Sequence, residues 1–175
     1  MPRAISIKAT GVDNKPLIEL WDAFGYFERL PSMPSLNYPP HITLAIYSDL
    51  ETDAAAIDEL AADQIALKLS FAHLDCFRIP RFVVWAKPDG GNDALVRLHR
   101  KLHSLVNPLA CHEHYRPGNW IPHCTLATDI PLETEHRALA RMAEPFVPFE
   151  VVFNAIDYVE FPPVRVLHQV QLPFA

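Results

Sequence analysis

Two short segments of the sequence carry the same chemical groups at the same spacing. His41 and Thr43 stand in Pro-His-Ile-Thr-Leu-Ala, and His123 and Thr125 stand in Pro-His-Cys-Thr-Leu-Ala. If each segment is a β-strand, its histidine and threonine share a face, because side chains two positions apart point to the same side. Displacement at phosphorus needs a base and an acid, which two imidazoles can supply, while threonine hydroxyls can bind the remaining phosphate oxygens. These four residues are therefore the candidate catalytic residues of a phosphoryl-transfer site.

The two segments belong to a longer internal repeat. They lie 82 positions apart, and residues 40–85 match residues 122–167 at 14 of 46 positions without a gap. Before the motifs the offset becomes 78, so the second half has four extra residues, which we place in the loop around 112–120. The pattern indicates a duplication with one motif per half, near 40–45 and 122–127. A pseudo-twofold axis between the halves would bring both motifs to one cleft.

Each half is predicted to contain the same order of elements. An opening strand precedes an amphipathic helix, the motif strand, a second helix with a Thr or Asp suited to N-capping, and a long alternating strand. The predicted elements are 5–9, 17–27, 41–47, 53–62 and 65–71, and then 82–87, 95–106, 123–127, 133–143 and 147–153. We therefore expect an α+β fold over residues 1–175, a single domain of two lobes. Each lobe would be an antiparallel sheet backed by helices, with the active-site cleft between them.

The length, charge and composition of the chain limit its expected cellular location and its expected binding partners. A length of 175 residues fits one domain, and no apolar run approaches the roughly 18 residues of a membrane span, so we expect a cytoplasmic monomer with no membrane contact. Three widely spaced cysteines form neither a zinc pattern nor a disulfide framework. A net charge of −6 argues against binding along a long nucleic acid, which depends on clustered Lys and Arg. The expected partner is a small anion or the end of an oligonucleotide.

The paired motifs resemble the two-histidine (2H) phosphoesterase superfamily, especially its bacterial RNA 2′,3′-cyclic phosphodiesterases, also called 2′-5′ RNA ligases. The segment Arg81-Phe82-Val83-Val84-Trp85 is also similar to a strand found between the motifs in that branch. The resemblance implies a bilobal fold, a cleft site that uses no metal or other cofactor, and hydrolysis of a 2′,3′-cyclic phosphate to a 2′-phosphate or reversible 2′-5′ ligation. It also implies His123 as the base that activates water and His41 as the acid. The expected substrate is then a small cyclic-phosphate nucleotide or an RNA terminus.

Five further residues are candidates for substrate binding. Tyr38, Tyr115, Arg116 and Trp120 lie shortly before the two motifs, and Arg81 follows a proline turn between them. An aromatic ring can stack on a base, and an arginine can pair with phosphate. The alternative for each aromatic residue is ordinary loop packing, and for Arg81 a surface ion pair.

Three alternatives remain open from the sequence. His99 and His103, four residues apart on a predicted helix, could bind zinc together with His112 and His114, although a solvated helix face is the preferred interpretation of the first pair. The segment 111–114 is interpreted as a polar rim of the cleft. The duplicated histidines could also cap a solvated sheet face without function, or form a non-catalytic nucleotide-binding or sensing module. We prefer a metal-independent enzyme, because two imidazoles can carry both proton transfers.

Overall fold

The computed structural model describes residues 1–48, 54–78 and 81–174. The elements are β1 (Arg3–Lys8), α1 (Lys15–Gly25), α2 (Ser32–Ser35), β2 (His41–Tyr47), α3 (Ala54–Ala61), β3 (Leu67–Phe77), β4 (Phe82–Pro88), α4 (Asp93–Leu105), β5 (Cys124–Ile130), α5 (Leu132–Met142), β6 (Phe149–Phe153), β7 (Ala155–Glu160) and β8 (Arg165–Gln171). The elements predicted from the sequence occur in the expected order, and α2, β7 and β8 are additional.

The eight described strands form one antiparallel sheet in the order β6-β3-β4-β5-β2-β1-β7-β8. The two motif strands, β2 and β5, are neighbours near its middle, and their single bridge joins Ile42 to Cys124. These two residues are equivalent under the offset of 82, so the pseudo-twofold axis passes between the motif strands. The α+β class and the duplicated architecture predicted from the sequence are confirmed.

Each lobe of the sheet combines strands from both halves of the chain. In one lobe β1 and β2 of the first half pair with each other, and β1 also pairs with β7 of the second half. In the other lobe β4 pairs with β5 of its own half and with β3 of the first half. The closing strand β3 of the first half and the strand β7 of the second half are therefore exchanged into the opposite lobes.

The strand β8 breaks the symmetry at one edge of the sheet. It covers the outer side of β7, pairing Ala155 with Gln171 and Asp157 with Gln169. In the other lobe β6 pairs with β3 between Leu67 and Phe71, and the described residues place no strand along the outer side of β3, away from β4, beyond Phe71. The outer side of β7 is therefore paired along its length, whereas part of the outer side of β3 is unpaired in the described structure.

Apolar side chains on one face of the motif strands form the core with the helices. Ile42 and Leu44 of β2 and Cys124 and Leu126 of β5 are completely buried, which leaves the histidines and threonines on the opposite face. A buried side chain of this size contributes about 1.5–3 kcal/mol to folding, so this alternation fixes the register of both strands. No helix in the described part of the chain is long and apolar enough to cross a membrane.

The closing strands differ from the prediction in their limits. Ile65 and Val147, expected on the buried strand face, precede the strands and are 49% and 81% exposed. In the second half the strand is interrupted at Asn154, where the chain leaves β3 and joins β1. The predicted start of the second helix of the first half, at Asp53 with its capping residue, lies outside the described residues.

Candidate functional site

The register of β2 and β5 brings the two motifs together on one face of the sheet. Because the strands are antiparallel about the Ile42–Cys124 bridge, each motif's histidine lies opposite the other motif's threonine. His41 and His123 are therefore diagonal neighbours, a distance of about 7–8 Å between backbone positions that long side chains can span. Their charges influence each other, since His123 lowers the pKa of His41.

Both imidazoles are held by the same kind of hydrogen bond. His41 Nδ1 donates to the carbonyl oxygen of Pro39 at 2.9 Å, and His123 Nδ1 donates to that of Ile121 at 2.7 Å. Pro39 and Ile121 are equivalent under the repeat. A carbonyl oxygen can only accept, so the proton of each neutral ring is on Nδ1, and Nε2 remains to accept a proton or, in the charged ring, to donate one.

The pKa values of both histidines lie below the ordinary value. Burial lowers the pKa of His41 to about 4, against the opposing effect of the Pro39 carbonyl and with smaller contributions from His123 and Lys8. Burial also lowers the pKa of His123, and the Ile121 carbonyl opposes it. Lys8 is thus a charged neighbour of one histidine of the pair.

A buried polar cluster lies beside His41. The Tyr38 ring meets His41 edge-on with a centroid distance of 4.9 Å, and its hydroxyl donates to Asp157 Oδ2 at 2.9 Å. The ammonium of Lys8 lies 2.5 Å from the same carboxylate oxygen and 5.3 Å from the Tyr38 ring centroid. Burial, followed by the charge of Asp157, raises the pKa of Tyr38, so its hydroxyl stays protonated. Tyr38 therefore connects His41 to an ion pair.

Aromatic rings surround His123 instead. The ring centroids of Phe77 and Trp85 lie 5.4 and 5.5 Å from that of His123. The two aromatic rings also contact each other, with centroids 5.0 Å apart. The two histidines thus share a tautomer and a backbone contact but differ in their neighbours.

Two tryptophans fix the backbone of the motifs. Trp21 Nε1, on α1, donates to the Thr125 carbonyl, and Trp120 Nε1 donates to the Thr43 carbonyl, both at 3.0 Å. Trp120, predicted to bind substrate, also stacks on His99 with ring centroids 4.0 Å apart and planes 2° from parallel. Its contacts support the motif strand and the helix behind it, and a role in binding substrate stays a prediction.

The structure places His99 and His103 inside the protein rather than on a solvated helix face. They are 3% and 8% exposed, and the Nε2 atoms of both donate to the carbonyl oxygen of Tyr115, at 2.8 and 2.9 Å. Burial lowers the pKa of both, that of His99 to about 4. The expectation was wrong because the long loop before the second motif folds over α4. The two histidines anchor this loop.

A cavity of about 520 Å³ opens beside His123. It lies between the long loop and the strands of the second-half lobe. Its lining residues are Ile46, Phe77, Arg81, Val83, His112, His114, Tyr115, Asn119, Ile121, His123 and Thr128. Ile46 belongs to β2, so the cavity reaches from the second-half lobe towards the motif strand of the first half. The size suits a small organic ligand.

The arginines predicted to bind substrate have different positions. Arg81 lines the cavity and forms an ion pair at 3.3 Å with Asp129, both residues being exposed. Arg116 is not among the lining residues, and its guanidinium donates to the carbonyls of Cys111 and Leu109 at 2.9 and 3.2 Å. Arg81 therefore lies at the cavity, and the contacts of Arg116 hold the loop in shape; a role of either arginine in binding substrate stays a prediction.

The segment 111–114 forms part of the cavity rim. His112 and His114 are exposed and line the cavity, their ring centroids 5.1 Å apart, whereas Cys111 is buried. Among the described residues no three His, Cys, Asp or Glu side chains are grouped in a way that could hold a metal ion.

Several residues around the histidines were not singled out from the sequence as site residues. Phe77 and Trp21 resemble ordinary core positions, and Lys8 ends an apolar strand without any motif. Asp157 is visible in the repeat as the partner of Asp75, but the repeat alone does not indicate that it is buried. Recognising these positions requires the pairing of β1 with β2 and β7.

An antiparallel sheet that presents two His-x-Thr motifs side by side across a pseudo-twofold axis defines the two-histidine class of phosphoesterases. The model of the 2′-5′ RNA ligase superfamily matches residues 16–163, most of the sequence, and the chain belongs to this superfamily. No curated protein sequence matches the chain.

Solved structures share the fold at low sequence identity. The Thermus thermophilus protein TT0787 is 19% identical with a TM-score of 0.63, and the alignment covers 99% of each chain. E. coli LigT complexed with 3′-AMP is 20% identical with a TM-score of 0.62, covering 98% of this chain and 99% of LigT. LigT has also been solved with NADP+ and with ATP, at 18% identity and TM-scores of 0.58 and 0.57.

Proposed function

We propose that this protein is a phosphoesterase that hydrolyses 2′,3′-cyclic phosphates of nucleotides or RNA ends to 2′-phosphates. The observation that carries the proposal is the matched pair of Nδ1 hydrogen bonds at His41 and His123. They leave two Nε2 atoms for proton transfer at diagonal positions on one face of the sheet. The reaction needs one proton acceptor and one proton donor, and no other chemical group has to be added.

The proposed reaction assigns a task to each motif residue. One neutral histidine removes a proton from water, and the water oxygen bonds to phosphorus. The bond from phosphorus to the 3′-oxygen breaks, and the other histidine, in its charged form, protonates that oxygen. The hydroxyls of Thr43 and Thr125 donate to the non-bridging oxygens, whose negative charge increases in the transition state. If a 5′-hydroxyl takes the place of the attacking water, the same groups would support 2′-5′ ligation.

The cavity supports a nucleotide as the substrate. It adjoins His123 and offers the rings of Phe77 and Tyr115 together with the guanidinium of Arg81. Aromatic rings stack on bases, and arginine binds phosphate. The similar LigT structures hold 3′-AMP, NADP+ or ATP, which agrees with a nucleotide ligand. The site is formed within one chain, so the reaction is proposed for a monomer.

The test is turnover of 2′,3′-cyclic AMP, GMP, CMP and UMP by the purified protein in EDTA, followed by ³¹P NMR. We expect the cyclic phosphate signal to be replaced by that of the 2′-phosphate, with no 3′-phosphate. His41→Ala and His123→Ala are the controls for contaminating enzymes. Binding without turnover would instead support the nucleotide-binding module, and turnover lost in EDTA and restored by a metal would contradict the two-histidine mechanism.

A further inference from the structure

Each motif strand has a β-bulge directly after its threonine. In β2 the register with β1 shifts by one residue between Thr43 and Ala45, so Leu44 is the extra residue. In β5 the register with β4 shifts in the same way after Thr125, and Leu126 is the extra residue. Leu44 and Leu126 are equivalent under the offset of 82. A bulge interrupts the ladder of hydrogen bonds and can redirect a side chain beside an active site. The two threonines therefore stand where strand pairing alone does not fix the backbone.

An indole N–H donates to the threonine carbonyl at each bulge. Trp21 Nε1 bonds to the carbonyl of Thr125, and Trp120 Nε1 bonds to the carbonyl of Thr43, at 3.0 Å in both cases. This carbonyl belongs to the peptide plane that follows the threonine, so the bond fixes the angle ψ of the threonine. The χ1 angle of a β-branched residue depends on its φ and ψ, so the bond also limits the direction of the hydroxyl.

The two bonds cross between the halves of the chain. Trp21 lies on α1 in the first half and holds the threonine of the second motif. Trp120 lies in the long loop of the second half and holds the threonine of the first motif. The orientation of each threonine therefore depends on a side chain from the opposite half.

The two donors are not copies of each other. The position of Trp21 corresponds to His99 under the offset of 78, and the position of Trp120 corresponds to Tyr38 under the offset of 82. The imidazole of His99 lies parallel to the indole of Trp120, with ring centroids 4.0 Å apart, so α4 supports the second indole instead of supplying it. A bond inherited through duplication would have donors at equivalent positions. The same bond is made from a helix in one half and from a loop in the other, which indicates that the bond itself is required.

The third tryptophan shows that burial alone does not provide such a bond. Trp85 is 2% exposed, and its Nε1 has no hydrogen-bond acceptor among the described residues. An indole nitrogen can only donate, so a buried indole N–H has to meet an acceptor or remain unsatisfied. The bonds of Trp21 and Trp120 to the two threonine carbonyls are therefore specific contacts.

We propose that Trp21 and Trp120 are positioning residues, which hold the hydroxyls of Thr125 and Thr43 towards the phosphate from the opposite half of the chain. This assignment rests on the function proposed above, in which both hydroxyls donate to the non-bridging oxygens. The negative charge on these oxygens increases in the transition state. A misplaced hydroxyl should therefore lower kcat more than it raises KM.

The first test is made on the free protein by NMR. Benzothienylalanine in place of a tryptophan keeps the shape of the side chain and replaces the N–H with sulfur. Three-bond couplings from each threonine methyl carbon to the backbone nitrogen and carbonyl carbon report χ1. Replacement at Trp21 should move the Thr125 couplings towards the rotamer average and leave those of Thr43 unchanged. Replacement at Trp120 should do the reverse, and replacement at Trp85, the control, should change neither threonine.

The second test is steady-state kinetics with 2′,3′-cyclic AMP. Replacement at Trp21 or Trp120 should lower kcat by roughly 3- to 10-fold, the contribution of one hydrogen bond, and change KM less than about twofold. In a Thr125→Val background the replacement at Trp21 should have no further effect, whereas in a Thr43→Val background it should keep its full effect. The replacement at Trp120 should show the opposite pattern. Trp21→Phe and Trp120→Phe, which also lack the N–H, take the place of any benzothienyl protein that does not fold.

Either test can overturn the proposal. Threonine couplings that stay unchanged in both variants, or that change equally at the two threonines, would show that the indoles do not hold them. Equal rate losses in the two threonine backgrounds would show that the tryptophans support the fold without positioning the hydroxyls. The couplings are measured without substrate, so a failure to turn over cyclic AMP would refute the proposed function separately from the indole contacts.

Discussion

At the scale of single residues, the site combines a symmetric constraint with asymmetric surroundings. Both imidazoles donate from Nδ1 to a carbonyl two residues earlier, which fixes the orientation of each ring and its tautomer. One ring then faces a buried tyrosine and ion pair, and the other faces two aromatic side chains. The proposed mechanism uses this combination, because both Nε2 atoms must reach the phosphate while one ring is neutral and the other is charged.

Replacing either histidine should remove most of the activity. We expect His41→Ala or His123→Ala to lower kcat/KM on the order of 10²–10⁴-fold, the usual contribution of a general acid or base. The double variant should lose less than the product of the single losses, because neither residue works well alone. Steady-state kinetics with a cyclic nucleotide measure this. Full activity in both single variants would remove the histidines from the mechanism.

The threonines should contribute less than the histidines. Thr43→Val or Thr125→Val keeps the branched shape of the side chain but removes the hydroxyl, so proton transfer continues while a phosphate contact is lost. We expect a smaller fall in kcat/KM than in the histidine variants, and near-normal rates in Thr43→Ser and Thr125→Ser, which keep the hydroxyl. Rates in the serine variants as low as in the valine variants would indicate a packing role instead.

The alternation of side chains in the motif strands could be predicted from the sequence. Ile42 and Cys124 are buried as expected, so the histidines and threonines occupy the other face. The environment of each histidine could not be predicted, because it depends on strand partners far away in the sequence. Lys8 and Asp157 are separated by 149 positions and meet only through the pairing of β1 with β7.

At the scale of secondary-structure elements, α4 and the long loop form one unit. The apolar positions Leu95, Leu98 and Leu102 predicted the buried face of α4 correctly. His99 and His103 also lie on this buried face, because the long loop packs over them. The sequence did not predict their burial, since polar residues at helical spacing are usually exposed. Each donates to the same loop carbonyl, so the wall of the cavity depends on two neutral histidines.

Because His99 and His103 hold the loop against α4 as neutral side chains, we expect the stability of the protein to depend on pH. The pKa of His99 is about 4 in the folded protein, against about 6.5 when unfolded, so the unfolded state binds more protons between these values. The free energy of unfolding should therefore fall as the pH is lowered from about 6.5 towards 4. His99→Gln keeps an N–H donor and cannot titrate, so urea unfolding across this range should show a shallower dependence.

The control is His136→Gln, since His136 is an exposed histidine on α5. It should keep the pH dependence of the unmodified protein, because His136 lies on α5 and takes no part in holding the loop against α4. An equal change in the two variants would show that the anchor contributes nothing specific.

At the scale of the whole molecule, the net charge of −6 opposes long polyanions. We expect kcat/KM for an oligonucleotide with a 2′,3′-cyclic end to rise from 20 to about 200 mM salt relative to that for the cyclic mononucleotide, because salt screens the repulsion. Parallel assays of both substrates measure the ratio. A steep loss of activity on the oligonucleotide with salt would instead indicate several phosphate contacts along the strand.

The exchange of closing strands has a consequence for the origin of the molecule. Neither half contains a complete lobe, since β1 requires β7 and β4 requires β3. The topology is that of a strand-swapped homodimer whose two subunits have been joined end to end. In such a fused chain the two halves associate during folding, whereas two separate subunits would associate only at a sufficient protein concentration. It also allows the two copies to diverge, and Ser6 beside one motif and Trp85 beside the other record that divergence. In a fused chain the two histidines can acquire different neighbours and different roles. In a symmetric homodimer both histidines would have the same neighbours, because the two subunits share one sequence.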